Sequence, residues 1–115
     1  MTLREIAAIL DARILVGENL LDQPVASACG ADLMSDVLAF VKEQAVLLTG
    51  LVNPQTVRTA EMMDMRCIIF VRGKLPDEQT LSLAREKEIV LMSTAHPMYS
   101  ACGLLYSRGL PGNGD

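Results

Sequence analysis

Residues 45–94 decide the fold, and they read AVLLTGLVNPQTVRTAEMMDMRCIIFVRGKLPDEQTLSLAREKEIVLMST. Three short apolar runs, AVLLTG, CIIFVRG and IVLMST, lack the polar alternation of a half-exposed strand, and such runs are typical of strands buried on both faces. Between them lie two segments of helical length. Asn53 caps the first, which we expect to continue to about Met65, and residues 76–78 start the second. The order strand, helix, strand, helix, strand predicts a parallel sheet with right-handed crossovers.

The segment at the start of the chain adds a helix and two short strands. Residues 2–11 place apolar side chains at helical spacing behind Thr2, and Glu5 completes a capping box with it. The runs RILV at 13–16 and VASAC at 25–29 are short strands. We expect both of them to join one edge of the sheet.

Two further helices complete the predicted architecture. The first is capped by Asp32 and presents one apolar stripe, formed by Leu33, Val37, Phe40 and Val41. The second runs from about residue 97 to residue 107. The predicted class is therefore α/β, a three-layer α/β/α domain with a mostly parallel sheet of about five strands. We expect one domain over residues 1–108 and a flexible tail over residues 109–115.

The composition of the chain argues against several classes of protein. With 115 residues, of which 50% are hydrophobic, the chain can bury one ordinary core. An aromatic content of 3% is too low for a base-stacking surface, and a net charge of -4 argues against nucleic acid as a partner. No apolar run approaches the roughly 18 residues of a membrane span, and the first residues lack the pattern of a secretion signal. We therefore expect a cytoplasmic protein with no nucleic-acid or membrane partner.

No signature of a common enzyme or metal class is present in the sequence. The glycines form neither GxxxxGK[ST] nor GxGxxG, there is no GxSxG, and one histidine cannot supply an HExxH pair. Cys29, Cys67 and Cys102 form no CxxC pair, and their odd number prevents complete internal pairing, so we expect reduced thiols. We predict no cofactor and no metal.

The ends of the three central strands carry the candidate ligand site. In an open parallel sheet, ligands bind beyond the carboxyl ends of the strands, where helix N-termini attract anions. The candidate residues at these ends are Thr49, Gly50, Asn53, Arg72, Gly73, Lys74, Ser93, Thr94 and His96. We expect the N–H groups of Gly50 and Gly73 to approach a phosphate or carboxylate, with positive charge supplied by the basic residues. The alternative is purely structural: the glycines end strands, the polar residues cap helices and the cations are solvated.

Acidic residues and the single histidine offer two further hypotheses. Asp32 and Asp36 are spaced i and i+4, so one helix face could present both carboxylates to a divalent metal or as an acid-base pair. The stronger alternative is that they cap the helix and interact with its dipole. His96 could act as a general base on a phosphorylated or carboxylated metabolite, with Asp36 as its partner. The sequence does not place His96 and Asp36 within the hydrogen-bond reach that such catalysis needs.

The segment EMMDM at residues 61–65 is a candidate interface. Met62, Met63 and Met65 are too many for one inward stripe of a helix, so we expect at least one of them to be exposed. Flexible methionine surfaces suit partner binding, and apolar residues in excess of a small core favour self-association. The alternative is a helix that is packed on both sides within one monomer.

The order of these motifs resembles the DRTGG domain family. The resemblance runs from GADLMSDVLAF through LLTGLVNPQTVRTAEMMDM to IVLMST, and RILVGENLLDQPV with the opening helix extends it over about residues 1–108. The family is similar to the N-terminal domain of HPr kinase/phosphorylase, which has an α/β fold. Its members also occur between the CBS domains of certain pyrophosphatases, at the dimer interface beside an adenine-nucleotide regulatory region. The literal string DRTGG is absent here, and residues 51–53 replace an acidic and basic pair of many relatives.

The resemblance and the motifs together predict a noncatalytic regulatory or assembly module. We expect a homodimer that senses a small anionic ligand, such as an adenine nucleotide, or that docks onto a partner enzyme. Two alternatives stay open at this point. One is a small enzyme with His96 as general base, and the other is a purely structural dimerisation domain.

Overall fold

The computed structural model describes residues 1–40 and 44–112, without the side chain of Phe40. Its elements are α1 (Leu3–Leu10), β1 (Arg13–Val16), a 3-10 turn (Glu18–Leu20), β2 (Ser27–Gly30), α2 (Met34–Phe40), β3 (Ala45–Thr49), α3 (Pro54–Met62), β4 (Cys67–Phe70), α4 (Glu78–Lys87), β5 (Val90–Ser93) and α5 (Met98–Ser107). Val41 of the predicted helical stripe and residues 113–115 of the predicted tail lie outside the described residues. No helix within the described ranges is long and apolar enough to cross a membrane.

One five-stranded sheet forms the centre of the molecule, in the order β1-β5-β4-β3-β2. The strands β2 to β5 are parallel to one another, and β1 pairs with β5 in the antiparallel direction. The predicted α/β class with a mostly parallel sheet of about five strands is confirmed. The expectation that β1 and β2 join one edge is wrong, because they lie at opposite edges. β2 lies next to β3 because α2 forms the crossover between these two parallel strands. β1 is antiparallel to β5 and needs no such crossover helix.

Helices cover both faces of the sheet. Because successive side chains of a strand point to opposite faces, Val46 and Leu48 pack in the core formed with α1 and α5. Leu47, between them in sequence, packs in the second core, with α2, α3 and α4. Both cores are apolar, and all five residues of β3 are buried. This burial explains why the central strands read as continuous apolar runs.

Two predicted helix caps are confirmed, and a third cap lies where the sequence predicted only the start of a helix. Thr2 and Glu5 form the reciprocal capping box of α1. Asn53 accepts a hydrogen bond from the N–H of Thr56 at the start of α3, and Asp77 caps α4 in the same way. The polar residues that start α3 and α4 therefore fix where those helices leave the sheet.

The predicted cap of α2 is wrong. This helix begins at Met34, two residues after Asp32, and the Asp32 carboxylate accepts hydrogen bonds from the loop after β3 instead. Leu33, which the sequence placed on the buried stripe, is exposed, while Met34 and Val37 are buried. Leu33, not Asp32, therefore directly precedes the first residue of α2, and the Asp32 carboxylate serves the loop after β3.

The segment that the sequence predicted as a flexible tail is packed on the sheet over its described part. Leu110 is only 3% exposed and lies in the core beside α1 and α5. The N–H of Ala28 donates to the carbonyl of Pro111 at 2.9 Å, and Gly112 forms a bridge with the same residue. Residues 110–112 therefore cover part of the outer edge of β2.

Candidate functional site

The loops that follow β3, β4 and β5 are joined to one another at one edge of the sheet. The three strands are neighbours and parallel, so their carboxyl ends lie side by side. The Lys74 ammonium donates to the carbonyl of Gly50 at 2.9 Å, and the Ser93 hydroxyl donates to the carbonyl of Lys74 at 2.9 Å. The backbone N–H of Arg72 donates to the carbonyl of His96 at 2.9 Å. The structure thus brings the sequence-predicted strand ends together.

A tight turn after β4 sets the position of Arg72. The N–H of Lys74 donates to the carbonyl of Val71 at 3.3 Å, and both central residues have positive φ, 59° at Arg72 and 67° at Gly73. This is the pattern of a type I′ turn, which glycine tolerates and an L side chain adopts at a cost of about 1–2 kcal/mol. A non-glycine residue in this region is worth testing for function, because the fold must hold it there.

The guanidinium of Arg72 lies directly over the loop after β3. A Cβ atom on Gly50 would sit 2.9 Å from Nη2 of Arg72 and 3.6 Å from Nζ of Lys74. Glycine at position 50 therefore leaves the space that the arginine head group fills. The same point lies 3.5 Å from Oδ1 of Asp32, so two cations and one carboxylate meet here. We call Asp32, Gly50, Arg72, Lys74 and His96 the strand-end cluster.

Asp32 is the member of the strand-end cluster whose role the sequence analysis missed. Its Oδ1 accepts from the N–H of Gly50 at 2.7 Å and from the hydroxyl of Thr49 at 3.0 Å. The hydrogen bond from Gly50 is the main reason why the pKa of Asp32 is lowered, with help from Thr49, Arg72 and Lys74 and against the opposing effect of partial burial. The partners lie 17 and 18 residues away in the chain, and no local pattern reports a contact at that separation.

Several groups that the sequence offered to a ligand are already bonded within the protein. The N–H of Gly50 donates to Asp32 at 2.7 Å, and the N–H of Gly73 donates to the carbonyl of Thr94 at 2.7 Å. The Thr94 hydroxyl is buried and donates to the carbonyl of Leu10 at 2.8 Å. The prediction that both glycine N–H groups contact an anion is therefore corrected. An anion could reach these groups only by displacing their present partners.

Two cations and one imidazole at this edge keep capacity for an anion. Within residues 1–40 and 44–112, the exposed Arg72 guanidinium and the partly exposed His96 imidazole make no side-chain hydrogen bond or ion pair. One proton of the Lys74 ammonium is used on Gly50, which leaves two donors. In addition, α5 begins directly after Pro97, and no side chain caps it. Uncapped helix N-termini carry partial positive charge.

The acid-base and metal hypotheses find no matching geometry in the described part of the chain. No hydrogen bond or ion pair joins His96 to Asp36 there, and Asp36 is on α2. Asp32 lies before α2 rather than in it, so the two aspartates do not share a helix face. Among the described residues, no three histidine, cysteine, aspartate or glutamate side chains are grouped so that they could hold a metal ion.

The methionines and cysteines divide between the core and the surface. Met65 is buried in the core, which excludes it from the predicted interface, whereas Met62 is exposed and Met63 is half-buried. Cys67 is buried in the sheet, and burial raises the pKa of its thiol. Burial also raises the pKa of the half-buried Cys102. The thiols thus favour the protonated, unreactive form.

Comparisons with known proteins agree with this architecture. The DRTGG domain family matches residues 5–107. A similar solved structure is that of the CBS and DRTGG domains of the regulatory region of Clostridium perfringens pyrophosphatase, complexed with the activator diadenosine tetraphosphate. The TM-score is 0.74 at 18% identity, over 96% of this chain and 47% of that one, so the chain spans about half of that structure. A likeness at this identity shows the fold. No curated protein matches the chain.

Proposed function

The chain belongs to the DRTGG domain family, and from this membership we propose that it is a noncatalytic regulatory module that binds a small anionic ligand at the strand-end cluster. The observation that carries the proposal is the Arg72 guanidinium. It is held over Gly50 by a turn with positive φ, and within the described residues it has no hydrogen-bonding partner of its own. A residue keeps this conformation where the surrounding structure enforces it, and here the bonds from the N–H groups of Arg72 and Gly73 to the loop after β5 do so.

Adenine nucleotides are the ligand class that we propose to test first. The pyrophosphatase region of similar fold is complexed with diadenosine tetraphosphate as an activator. A polyphosphate matches the chemistry of this edge, because a guanidinium binds phosphate oxygens with two parallel hydrogen bonds. The N-terminus of α5 would add partial positive charge on the same side.

The absence of a paired catalytic group among the described residues supports a noncatalytic role. General-base catalysis needs a base with an orienting partner in hydrogen-bond reach. His96 has no such side-chain partner within residues 1–40 and 44–112. We propose that the domain instead reports ligand occupancy, as a homodimer or through contact with a partner enzyme.

A thermal-shift titration tests the proposed function. The ligands are AMP, ADP, ATP, diadenosine tetraphosphate and inorganic phosphate, each added to the wild type, Arg72→Ala and Arg66→Ala. A ligand at 100 times its Kd stabilises the folded state by about 2.7 kcal/mol, which raises Tm by several degrees. Loss of a charge-assisted hydrogen bond costs about 1.5–3 kcal/mol, so Arg72→Ala should weaken binding by about tenfold or more.

Arg66→Ala is the matched control. Arg66 is an exposed arginine at the opposite end of β4, 3.5 Å from Asp64, so its removal changes net charge equally and leaves the strand-end cluster intact. We expect this variant to bind like the wild type. An equal loss of ligand affinity in both variants would show that binding depends on net charge and not on Arg72. No shift with any ligand would contradict the sensor and favour a structural domain.

A further inference from the structure

The outer face of α5 carries both tyrosines of the chain, and both are exposed. Tyr99 is 91% exposed and Tyr106 is 65% exposed, which makes them two of the six large exposed hydrophobic side chains among the described residues. The helix reads MYSACGLLYS and contains no charged residue, although 21% of the chain is charged. A surface helix that exposes aromatic rings and no charge is typical of an interface rather than of a solvated face.

An apolar cavity of about 380 Å³ lies beside this face. Tyr99, Gly103 and Tyr106 line it from α5, and Gly30 and Leu110 line it from the edge of the sheet and the C-terminal segment. The exposed rings and the cavity form one continuous surface on the side of the sheet that α1 and α5 cover. We call this surface the tyrosine face.

Gly103 has no role that the monomer explains. It lies inside α5 without positive φ, and a Cβ atom at this position would meet nothing within 4 Å. Glycine is among the least favourable residues inside a helix, and its lack of a side chain leaves room for another backbone to approach this surface closely. Gly103 lies four residues after Tyr99 and three before Tyr106, so all three share one side of the helix.

We infer that the tyrosine face binds a second copy of this chain, with α5 packed against α5 across a twofold axis near Gly103. The inference rests on the homodimer of the proposed function and assigns its surface. Two copies carry a net charge of -4 each and repel at long range, and contact through a helix without charged residues adds no like-charge pair to that repulsion. An antiparallel pair of helices centred on Gly103 places Tyr99 of each copy beside Tyr106 of the other.

The exposed tyrosines supply part of the area that a dimer interface needs. A buried aromatic side chain contributes about 150–250 Å², so four tyrosines contribute roughly 600–1,000 Å². A standard interface buries about 1,200–2,000 Å² in total, so this face corresponds to a small, reversible dimer interface. The methionine surface is a poorer candidate, because Glu61, next to Met62, forms an ion pair with Lys87 at 3.1 Å that a partner would have to cover.

Sedimentation equilibrium of the wild type, Gly103→Arg and Met62→Arg tests the inference. The wild type should sediment as a dimer of twice 12.5 kDa at micromolar concentration. Gly103→Arg places a long charged side chain in space that is open in the monomer, so the fold should persist and the Kd of dimerisation should rise at least 100-fold. Met62→Arg adds the same charge to α3 and should leave the dimer unchanged.

The outcomes separate the surface from the assembly itself. A dimeric wild type with a dimeric Gly103→Arg variant would overturn the tyrosine face while leaving the homodimer intact. Dissociation by Met62→Arg alone would assign the interface to the methionine surface. A monomeric wild type at 100 µM would overturn both the homodimer and its surface, and the ligand titration would still test the sensor. An unchanged circular dichroism spectrum and a cooperative thermal transition for each variant exclude misfolding as the cause; the Tm itself falls when a dimer dissociates.

Discussion

Asp32 determines the electrostatics of the strand-end cluster. Its carboxylate accepts the Gly50 N–H and lies near Arg72 and Lys74, so the edge holds two cations and one anion instead of an open positive surface. An anionic ligand therefore meets a resident carboxylate. The ligand would compete with Asp32 for Arg72 and Lys74.

The pH dependence of stability tests the position of Asp32. Because its pKa is lowered in the folded state, the group stabilises the fold above its ordinary value of 3.8, and this contribution is lost as the pH falls through the folded value. In urea titrations from about pH 5 downward, Asp32→Asn should lose less unfolding free energy than the wild type. Asp22 and Asp77 also have lowered pKa values, so the variant should retain part of the decline. An identical decline of unfolding free energy below pH 5 in the wild type and in Asp32→Asn would show that the Asp32 carboxylate does not accept these hydrogen bonds in solution.

The residues of the site could be predicted in part. Gly50, Arg72 and Lys74 were predicted as site residues because they directly follow apolar strands, and the carboxyl ends of parallel strands lie at one edge of the sheet. The sequence did not show which backbone N–H groups are free to bind a ligand. Their availability depends on long-range hydrogen bonds, such as the one from Gly50 to Asp32, which are 18 residues apart. The left-handed conformation of Arg72 could not be predicted either, because long-range bonds to the loop after β5 hold the turn in place.

At the scale of elements, the C-terminal segment 110–112 acts as a cover for the edge strand β2. Unpaired edge strands invite association with other chains, and proteins commonly cover them. The bond from Ala28 to Pro111 and the buried side chain of Leu110 hold this cover in place. The sequence GLPGNGD contains the turn residues of a loose tail, and nothing in its composition reports the packing of residues 110–112.

Leu110→Ala tests whether the segment is a packed element. Removing a buried leucine side chain typically costs about 2–5 kcal/mol of unfolding free energy. We expect a loss within this range in urea denaturation. Leu75→Ala, at an exposed leucine, is the control and should change stability by less than about 0.5 kcal/mol. A flexible tail would instead give the same small change for both variants.

The elements themselves were predicted better than their arrangement. Each helix and strand follows from apolar spacing and from residues such as Thr2, Asn53 and Asp77. The positions of β1 and β2 in the sheet could not be predicted, because a strand of four residues does not indicate which edge of the sheet it joins. The sheet order is decided by the crossover through α2 and by the pairing of β1 with β5, and both are long-range.

At the scale of the whole molecule, the proposed ligand site and the proposed dimer interface are different surfaces. The strand-end cluster lies after the carboxyl ends of β3, β4 and β5, whereas the tyrosine face runs along α5, and the start of α5 adjoins both. Tyr99 lies three residues after His96. A ligand bound beside the first turn of α5 could thereby change the dimer, which is the behaviour expected of a regulatory module.

The most direct test of the central claim is an amide chemical-shift titration of the isotope-labelled chain with diadenosine tetraphosphate and with inorganic phosphate. A ligand held at the strand-end cluster should shift the amides of Gly50, Gly73 and His96 in a saturable way, and Arg72→Ala should remove these shifts. The amide of Arg66, at the other end of β4, should stay in place. Shifts confined to the tyrosine face, or no saturable shift with either ligand, would contradict the account.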